Sequence, residues 1–255
     1  MTAPSATVVI PARYNGPPTS GNGGYACGVA AGALNDGPAE VVLRRPPPLD
    51  VPLVVVETER GIELQDEGQV VAAAVVWDGR VDVPPRPTDA VVDLAVAGFD
   101  VDAYASGHAF GRCFTCGPSR PDHDGLCIYP AGISGTEMVV WRWTPAPSTG
   151  ADDGLVAAAV VWAALDCPSV LCWIDAPDGS TTSGPAVLGR FAVRIDRRPA
   201  VGEPLVVAGW QTGADGRKLF GSAAVWDADG EVLAVSAATW ILLDEAQAAA
   251  FGAQA

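Results

Sequence analysis

The sequence predicts an α+β fold made of two similar halves, in which a buried helix is followed by antiparallel strands. The main observation is an internal repeat. Arg44-Arg45-Pro46 returns 153 residues later as Arg197-Arg198-Pro199, and Pro52-Leu53-Val54-Val55 returns as Pro204-Leu205-Val206-Val207. We interpret these matches as two halves that share the same order of strands. The alternative is chance similarity in a chain that is rich in valine and proline.

The two predicted helices are rich in glycine and alanine and lie at residues 23–34 and 157–172. The second belongs to the apolar run 155–174, which is long enough to suggest a membrane span. Asp166 and Pro168 interrupt the middle of this run, and a carboxylate at the centre of a bilayer costs about 2.5 to 3.5 kcal/mol. We therefore predict a helix that is buried inside the protein and surrounded by a curved sheet, because it is apolar on all sides.

The strands predicted after each helix share a strand-turn-strand plan. Asp66-Glu67-Gly68 precedes the alternating apolar run 69–77, and Asp229-Gly230 precedes the run 231–243. Acidic residues followed by glycine between two alternating segments are typical of hairpin turns. Each half is thus predicted to form an antiparallel meander behind its helix.

These patterns divide the chain into four segments. The predicted boundaries are a first half over 1–82, a linker with a Cys-x-x-Cys segment over 83–124, a second half over 125–243 and a frayed tail over 244–255. The linker begins with a proline-rich stretch, and the tail is rich in alanine and glutamine. We expect no chemistry from residues 83–112 or from the tail.

The charge of the chain excludes several classes of partner. Thirty acidic residues against 15 lysines and arginines give a formal net charge of −15 over 255 residues. Such a field repels nucleic acid and anionic membrane surfaces, so we expect neither as a partner. The amino terminus lacks the basic flank of a secretory signal, and six scattered cysteines are too few for a disulfide scaffold. A cytoplasmic protein with reduced thiols is therefore expected.

Short motifs connect the chain with a known family. The segment 17–25, PPTSGNGGY, is similar to the Pro-x-His-Gly-Gly-Tyr helix start of the hotdog-fold acyl-CoA thioesterases and dehydratases, with Asn22 where that family usually has histidine. Ala163-Ala164-Leu165-Asp166 resembles the helix segment that carries the catalytic aspartate in many members. Cys113-Phe114-Thr115-Cys116-Gly117-Pro118 looks like a segment of double-hotdog proteins of thioesterase type. The resemblance implies a tandem hotdog, in which two long helices pack on one continuous antiparallel sheet and the site lies between the helices.

Four residues are the candidate catalytic groups: Asp166, Asn22, Gly23 and Gly24. The resemblance implies a catalytic carboxylate at Asp166, whereas its position before Pro168 also suits the N-cap of a second helix. The N–H groups at the glycines can stabilise an oxyanion at the start of the first helix. Alternatively, Asn22 is an ordinary N-cap and the glycines allow tight packing. The aspartate position of the first half corresponds to Ala31, so one complete site is expected, built from both halves.

Four further residues are candidates for substrate binding: Tyr25, Trp162, Arg190 and Arg194. Tyr25 belongs to the family-like helix start, and Trp162 suits a pocket wall. The two arginines can pair with the phosphates of coenzyme A, because the guanidinium group is a bidentate donor. The alternative for both arginines is an ordinary solvated strand face.

The cysteine segment allows a metal site. Cys113-x2-Cys116-x6-His123-x3-Cys127 has a spacing loosely like that of a zinc knuckle. In the alternative, Cys127 is simply a buried thiol in the apolar stretch 126–129. We expect no metal and no cofactor.

The predicted function is an acyl-CoA thioesterase-like hydrolase that acts on an acyl thioester at the interface of the two halves. Asp166 would activate water or attack directly, since both roles need the same placement. The chain has no Gly-x-Ser-x-Gly motif, which disfavours a serine-triad hydrolase. The alternatives are a non-catalytic module that binds acyl-CoA or another amphipathic ligand and, second, a hydratase-type hotdog enzyme. Family analogy and a mean hydropathy of +0.24 favour a homodimer.

Overall fold

The computed structural model describes residues 6–35, 37–120, 124–174 and 184–250. The chain begins with β1 (Thr7–Val9), α1 (Gly23–Leu34), β2 (Ala39–Leu43), β3 (Pro52–Thr58), β4 (Gly61–Asp66) and β5 (Gln69–Val76). Two helices follow, α2 (Asp89–Ala97) and α3 (Val101–Gly107). The remaining elements are β6 (Ala131–Gly132), β7 (Met138–Trp143), α4 (Ala158–Asp166), α5 (Pro168–Ile174), β8 (Ala186–Ile195), β9 (Leu205–Asp215), β10 (Lys218–Trp226), β11 (Val232–Leu242) and α6 (Glu245–Ala250).

The strands form one antiparallel sheet of 11 strands in the order β1-β3-β4-β5-β2-β8-β11-β10-β9-β7-β6. The order β1-β3-β4-β5-β2 on one side corresponds to β7-β9-β10-β11-β8 on the other. The two sides join where β2 pairs with β8, for example at Val41 opposite Phe191. β3 and β9, which carry the repeated Leu-Val-Val segments, therefore occupy equivalent places in the sheet. The predicted α+β class with one continuous antiparallel sheet is confirmed.

The helices α1 and α4 pack on each other and on the same sheet. They run antiparallel, because Gly24 near the start of α1 lies against Asp166 at the end of α4, whereas Gly28 lies against Ala159 at the start of α4. A Cβ atom on Gly28 would lie 2.6 Å from the Ala159 Cα, so the helix axes approach closely only because this residue is glycine. Both helices belong to the main hydrophobic core, where the Trp162 ring meets the Phe191 ring of β8 edge to face.

The second predicted helix is divided in two. The sequence suggests one helix over 157–172, but α4 ends at Asp166 and α5 starts at Pro168. Proline has no N–H, and its ring clashes with the carbonyl group four residues earlier, so it favours a break at this point. The Ser169 hydroxyl donates to the Asp166 carbonyl oxygen at 2.6 Å and stabilises the first turn of α5. The break places the Asp166 side chain at the end of a helix.

The segment predicted as a linker, 83–124, contains the helices α2 and α3. Val92 of α2 is fully buried in a second, smaller cluster against the sheet. Arg142 of β7 pairs with Asp89 and Asp93 of α2, at 3.1 and 2.7 Å. Val92 and these ion pairs thus attach α2 to the second half of the sheet.

The tail predicted to fray over 244–255 forms α6 in its first part. The Asp244 carboxylate accepts the Gln247 N–H at 2.8 Å, and Arg217 donates to the Gln247 side chain at 2.8 Å. An N-cap and a run of alanines are sufficient to order this short turn of helix. Residues 245–250 are therefore helical, and residues 251–255 lie outside the described residues. Among the described helices, none is long and apolar enough to cross a membrane.

Candidate active site

The side chains of Asp166 and Asn22 meet where the end of α4 reaches the start of α1. The Asn22 Nδ2 donates to the Asp166 Oδ2 at 2.7 Å. Both residues are only 1% exposed, so this hydrogen bond lies in the interior of the molecule. Two of the predicted site residues, one from each half, are thus in direct contact.

Asn22 is both an N-cap and a member of the buried pair. Its Oδ1 accepts the Tyr25 N–H at 2.9 Å, which satisfies one of the free donors in the first turn of α1. The orientation of the amide follows, because the oxygen is occupied by the cap and the nitrogen must face Asp166. The remaining Nδ2 hydrogen points to the Thr115 hydroxyl at 3.3 Å, and Thr115 itself donates to the Ala163 carbonyl oxygen of α4 at 2.8 Å.

The carboxyl group of Asp166 is held in an unusual environment. Burial raises its pKa to about 8, and the charge of the nearby Cys113 adds to this effect. The Gly24 N–H and the Asn22 amide act in the opposite direction, since they favour the ionised form. A carboxyl group with this pKa can take up or release a proton near neutral pH, as acid–base chemistry requires.

The two oxygens of the Asp166 carboxyl group differ in their surroundings. Oδ1 is buried and accepts no hydrogen bond of normal geometry from any of the residues that the structure describes. A buried acceptor without a donor is uncommon in folded proteins, and functional sites are one of its recognised causes. The side chain turns toward α1 and does not cap α5, so the geometry gives no support to the alternative in which Asp166 is only a helix cap.

The two glycines at the start of α1 permit this arrangement. A Cβ atom on Gly24 would lie 2.6 Å from the Asp166 Cβ and 2.7 Å from the Trp162 carbonyl oxygen, and one on Gly23 would lie 2.9 Å from the Leu188 Cβ. The first N–H groups of a helix lack partners within the helix, and the helix dipole makes this end positive. The same glycines therefore allow close packing, and they place the first N–H groups of α1 beside the carboxyl group.

A cavity of about 670 Å³ lies beside the pair, and Asn22, Gly23 and Asp166 form part of its wall. Apolar side chains from α5 and β11 line another part, among them Leu171, Ile174 and Trp240. This combination of an apolar wall and a few polar groups is typical of a small-molecule site.

Arg44 and Arg45 also line the cavity, and both are exposed, so they lie where it opens to solvent. Neither forms a salt bridge with another of the described residues. Sequence reasoning used this pair only as a marker of the repeat. No sequence signal places it at the cavity, because that position results from the packing of the β2–β3 connection beside α1.

The four predicted substrate-binding residues do not belong to the wall of this cavity. The Tyr25 ring stacks on the Tyr14 ring with centroids 3.7 Å apart. Trp162 is 3% exposed and packs in the core, away from the cavity wall.

The two predicted phosphate-binding arginines lie on the outer face of β8 and are paired with carboxylates. Arg190 pairs with Glu40 across the joint between β2 and β8, and Arg194 pairs with Asp196, both at 2.9 Å. Phe191 and Val193, on the opposite face, are buried in the core. Because side chains alternate along a strand, the arginines must point away from the helices and the cavity, which corrects their assignment.

The predicted zinc ligands separate into two groups. Cys113 and Cys116 lie near each other and line the cavity, and Cys167, next to Asp166, joins them. Cys127 does not belong to this cluster, and its backbone has a positive φ of 52°. His123 lies outside the described residues. The position of Cys167 beside the candidate aspartate was a signal that sequence reasoning did not use.

Comparison with known proteins identifies the architecture. The chain matches no protein-family model and no curated protein sequence. Among solved structures it is similar to a putative thioesterase II from Thermobifida fusca YX, with 15% identity, a TM-score of 0.57 and coverage of 93% of this chain and 92% of that one. An acyl-CoA thioesterase II from Mycobacterium marinum has 12% identity, a TM-score of 0.57 and coverage of 87% and 88%. A conserved protein of unknown function with a hot dog fold from Alicyclobacillus acidocaldarius has 16% identity, a TM-score of 0.55 and coverage of 93% and 92%.

The chain has the tandem hotdog fold. The likeness extends over nearly the whole chain, as the family-like motifs predict. At these identities it establishes the architecture alone. The role of each residue in the site has to be argued from the geometry of this chain.

Proposed function

We propose that the protein is a thioester hydrolase of the acyl-CoA thioesterase type and that its site is the Asn22–Asp166 pair beside the cavity. The observation that carries the proposal is the buried 2.7 Å hydrogen bond between Asn22 and Asp166, side chains of opposite halves, at the wall of an apolar cavity. A buried carboxyl group with one partnerless oxygen is costly, so a protein that keeps it there gains something other than stability.

The reaction that suits these groups adds water to the acyl carbon and releases a carboxylic acid and a thiol. The Asp166 carboxylate takes a proton from the attacking water or attacks the acyl carbon itself. Negative charge develops on the carbonyl oxygen in either case. The Gly23 N–H at the cavity wall and the positive end of the α1 dipole suit the stabilisation of that charge, while the Gly24 N–H favours the ionised form of Asp166.

The cavity supports a substrate with an apolar acyl group and an anionic remainder. Its apolar part, with Leu171, Ile174 and Trp240 in the wall, suits an acyl chain. The exposed Arg44 and Arg45 at its opening suit phosphate groups, because guanidinium groups bind phosphate with two parallel hydrogen bonds. In a chain with a net charge of −15, these arginines are also a local site of attraction for an anionic ligand.

The experiment measures thiol release from a panel of acyl-CoAs by the wild type and by Asp166→Asn. Asparagine keeps the size of the side chain and its hydrogen bond with Asn22 but removes the ionisable group. We expect turnover to fall by about two to four orders of magnitude, which is the usual contribution of a general base. Asp196→Asn is the control, since Asp196 pairs with Arg194 on the exposed face of the sheet, and its turnover should remain at the wild-type value.

The same panel separates this proposal from its alternative. Binding of acyl-CoA, measured by calorimetry, without turnover of any member would identify a non-catalytic binding module. Retention of more than half of the wild-type turnover in Asp166→Asn would remove Asp166 from the mechanism. Unfolding curves of both variants accompany the assay, so that a loss of activity can be separated from a loss of the fold.

A further inference from the structure

Three cysteine thiols converge beside Asp166, and the proposed hydrolysis does not use them. The Sγ atoms of Cys113, Cys116 and Cys167 all lie within 4.8 Å of one another, and those of Cys113 and Cys167 are 3.6 Å apart. In a tetrahedral site with Zn–S bonds of about 2.3 Å, neighbouring sulfur atoms are about 3.8 Å apart. The thiols are therefore close to the spacing that a zinc ion requires.

The turn that carries Cys113 and Cys116 is tightly closed. The Gly117 N–H donates to the Cys113 carbonyl oxygen at 2.9 Å. A Cβ atom on Gly117 would lie 2.5 Å from both the nitrogen and the oxygen of Cys113, so glycine is required to close the turn. The closed turn therefore holds the side chains of Cys113 and Cys116 in a fixed geometry.

Hydrogen bonds outside the cluster hold this turn in place. The side chain of Arg120 is 2% exposed and donates to the Arg112 carbonyl oxygen at 2.6 Å and to the Asn15 side chain at 2.8 Å. Thr115, between the two cysteines, is bonded to the Ala163 carbonyl oxygen of α4. These contacts keep the turn beside the end of α4, where Cys167 lies, so the three sulfur atoms are positioned before any ion binds.

His108 lies at the edge of the cluster as a hydrogen-bond donor. Its Nε2 is 3.4 Å from the Cys116 sulfur, while its Nδ1 accepts the Phe110 N–H at 3.0 Å. A neutral imidazole whose Nδ1 accepts a hydrogen bond carries its proton on Nε2. The His108 ring therefore donates a hydrogen bond to Cys116, and it has no lone pair left for a metal. Side chains that donate a hydrogen bond to a metal-bound thiolate are common in metal sites. In this role His108 is not itself a ligand, so three cysteines occupy three of the four positions around the metal.

We propose that Cys113, Cys116 and Cys167 bind one Zn²⁺ ion whose fourth position faces the cavity. Thiolates select zinc over magnesium and calcium, because soft sulfur ligands suit soft metals. This set differs from the sequence-predicted one in that Cys167 takes the place of His123 and Cys127. The ion ties the turn at residues 113–117 to the end of α4, directly next to the Asn22–Asp166 pair. The proposal is independent of the proposed function, since zinc binding needs no substrate.

The first measurement is the zinc content of the whole chain, purified without a histidine tag and without chelator. We expect about one zinc per chain, as for a structural thiolate site. Less than about a tenth of an equivalent, together with no binding of added zinc to reduced protein, would overturn the proposal. A disulfide between Cys113 and Cys167 in the freshly purified protein, detected by mass spectrometry, would also overturn it.

Alanine variants then test which thiols are the ligands. Cys167→Ala should lose the zinc, whereas Cys127→Ala should keep it, because Cys127 is outside the cluster. Cys27→Ala is the matched control, since Cys27 is a buried cysteine of α1 that is not part of the cluster. Loss of zinc in Cys127→Ala with retention in Cys167→Ala would overturn the proposal in favour of the sequence-predicted ligands.

Two readouts keep the proposal testable if a cysteine variant fails to fold. The zinc is first removed from the wild-type protein, and Co²⁺ is then added. We expect an absorption band from charge transfer between the thiolates and cobalt. The absence of this band would overturn the proposal. His108→Ala should bind zinc about 10 to 100 times more weakly in competition with a chelating dye, the usual loss for a hydrogen bond to a ligand. An unchanged affinity would contradict the role of His108 as a positioning residue.

Discussion

The helices α1 and α4 hold equivalent places in the two halves, but their ends differ in chemistry. α1 is preceded by Asn22, whose side chain caps it, and it opens with Gly23 and Gly24. α4 is preceded by Ala157, which makes no side-chain cap, and it opens with two alanines. Nine residues after Asn22 the chain has Ala31, whereas nine residues after Ala157 it has Asp166.

The antiparallel packing of α1 and α4 therefore creates two related helix ends, of which one carries polar groups. Asp166 reaches the capped, glycine-containing start of α1, while the corresponding position on α1, Ala31, is a buried alanine. A buried carboxylate needs a donor and room for the helices to approach, and Asn22 and Gly24 supply both at one end. The fold therefore provides two equivalent helix ends, and a few side chains determine which of them can take part in a reaction.

The largest effect is expected from placing a carboxylate at the apolar end. Ala31→Asp buries a carboxylate at an end of the helix pair where no side chain equivalent to Asn22 donates a hydrogen bond to it. The free energy of unfolding should therefore fall by at least about 2 kcal/mol. Gly32→Asp, one residue later at an exposed position, is the control and should change it by less than about 1 kcal/mol. Urea unfolding measures both variants. Equal stability of the two would show that burial is not what distinguishes the ends.

A smaller effect is expected from filling the space at the polar end. Gly24→Ala forces a Cβ against the Trp162 carbonyl oxygen and the Asp166 side chain, so the free energy of unfolding should fall by about 1 to 3 kcal/mol. Gly32→Ala, in the same helix with no atom within 4 Å of its Cβ position, should instead gain up to about 1 kcal/mol because alanine is the better helix former. The two variants are compared by thermal and urea unfolding. A stabilised Gly24→Ala would contradict the close approach of α1 and α4 at this point.

The smallest effect is expected from capping α4. Ala157→Ser supplies the side-chain acceptor that this helix lacks, so the free energy of unfolding should rise by about 0.5 to 1 kcal/mol. Thiol release should stay at the wild-type value, because residue 157 lies at the opposite end of α4 from Asp166. A large change in turnover without a change in stability would mean that the apolar end also takes part in the reaction.

The sequence predicted the local features of the site well. The Asn-Gly-Gly step located the start of α1 and its N-cap, and the isolated aspartate in an apolar run located the buried carboxyl group. Both are local signals, since capping and the cost of burying a charge depend on neighbours in the chain. The alternation of Arg190, Phe191 and Val193 also indicated that the arginine lies on the face opposite the core. The phosphate-binding assignment of Arg190 depended instead on the chemistry of the guanidinium group, which carries no information about the face on which it lies.

Local sequence signals and the family resemblance were sufficient to predict the α+β class, the strand pattern and a site that combines residues of both halves. Other contacts became visible only in the folded molecule. Cys167 and not Cys127 lies beside Cys113, the segment 83–124 forms helices that pack on the second half, and Arg44 and Arg45 line the opening of the cavity. Helix and strand signals repeat within a few residues, so a sequence contains them locally. The contacts named above join segments that are far apart in the chain. They form only because two helices pack on one sheet and bring these segments together.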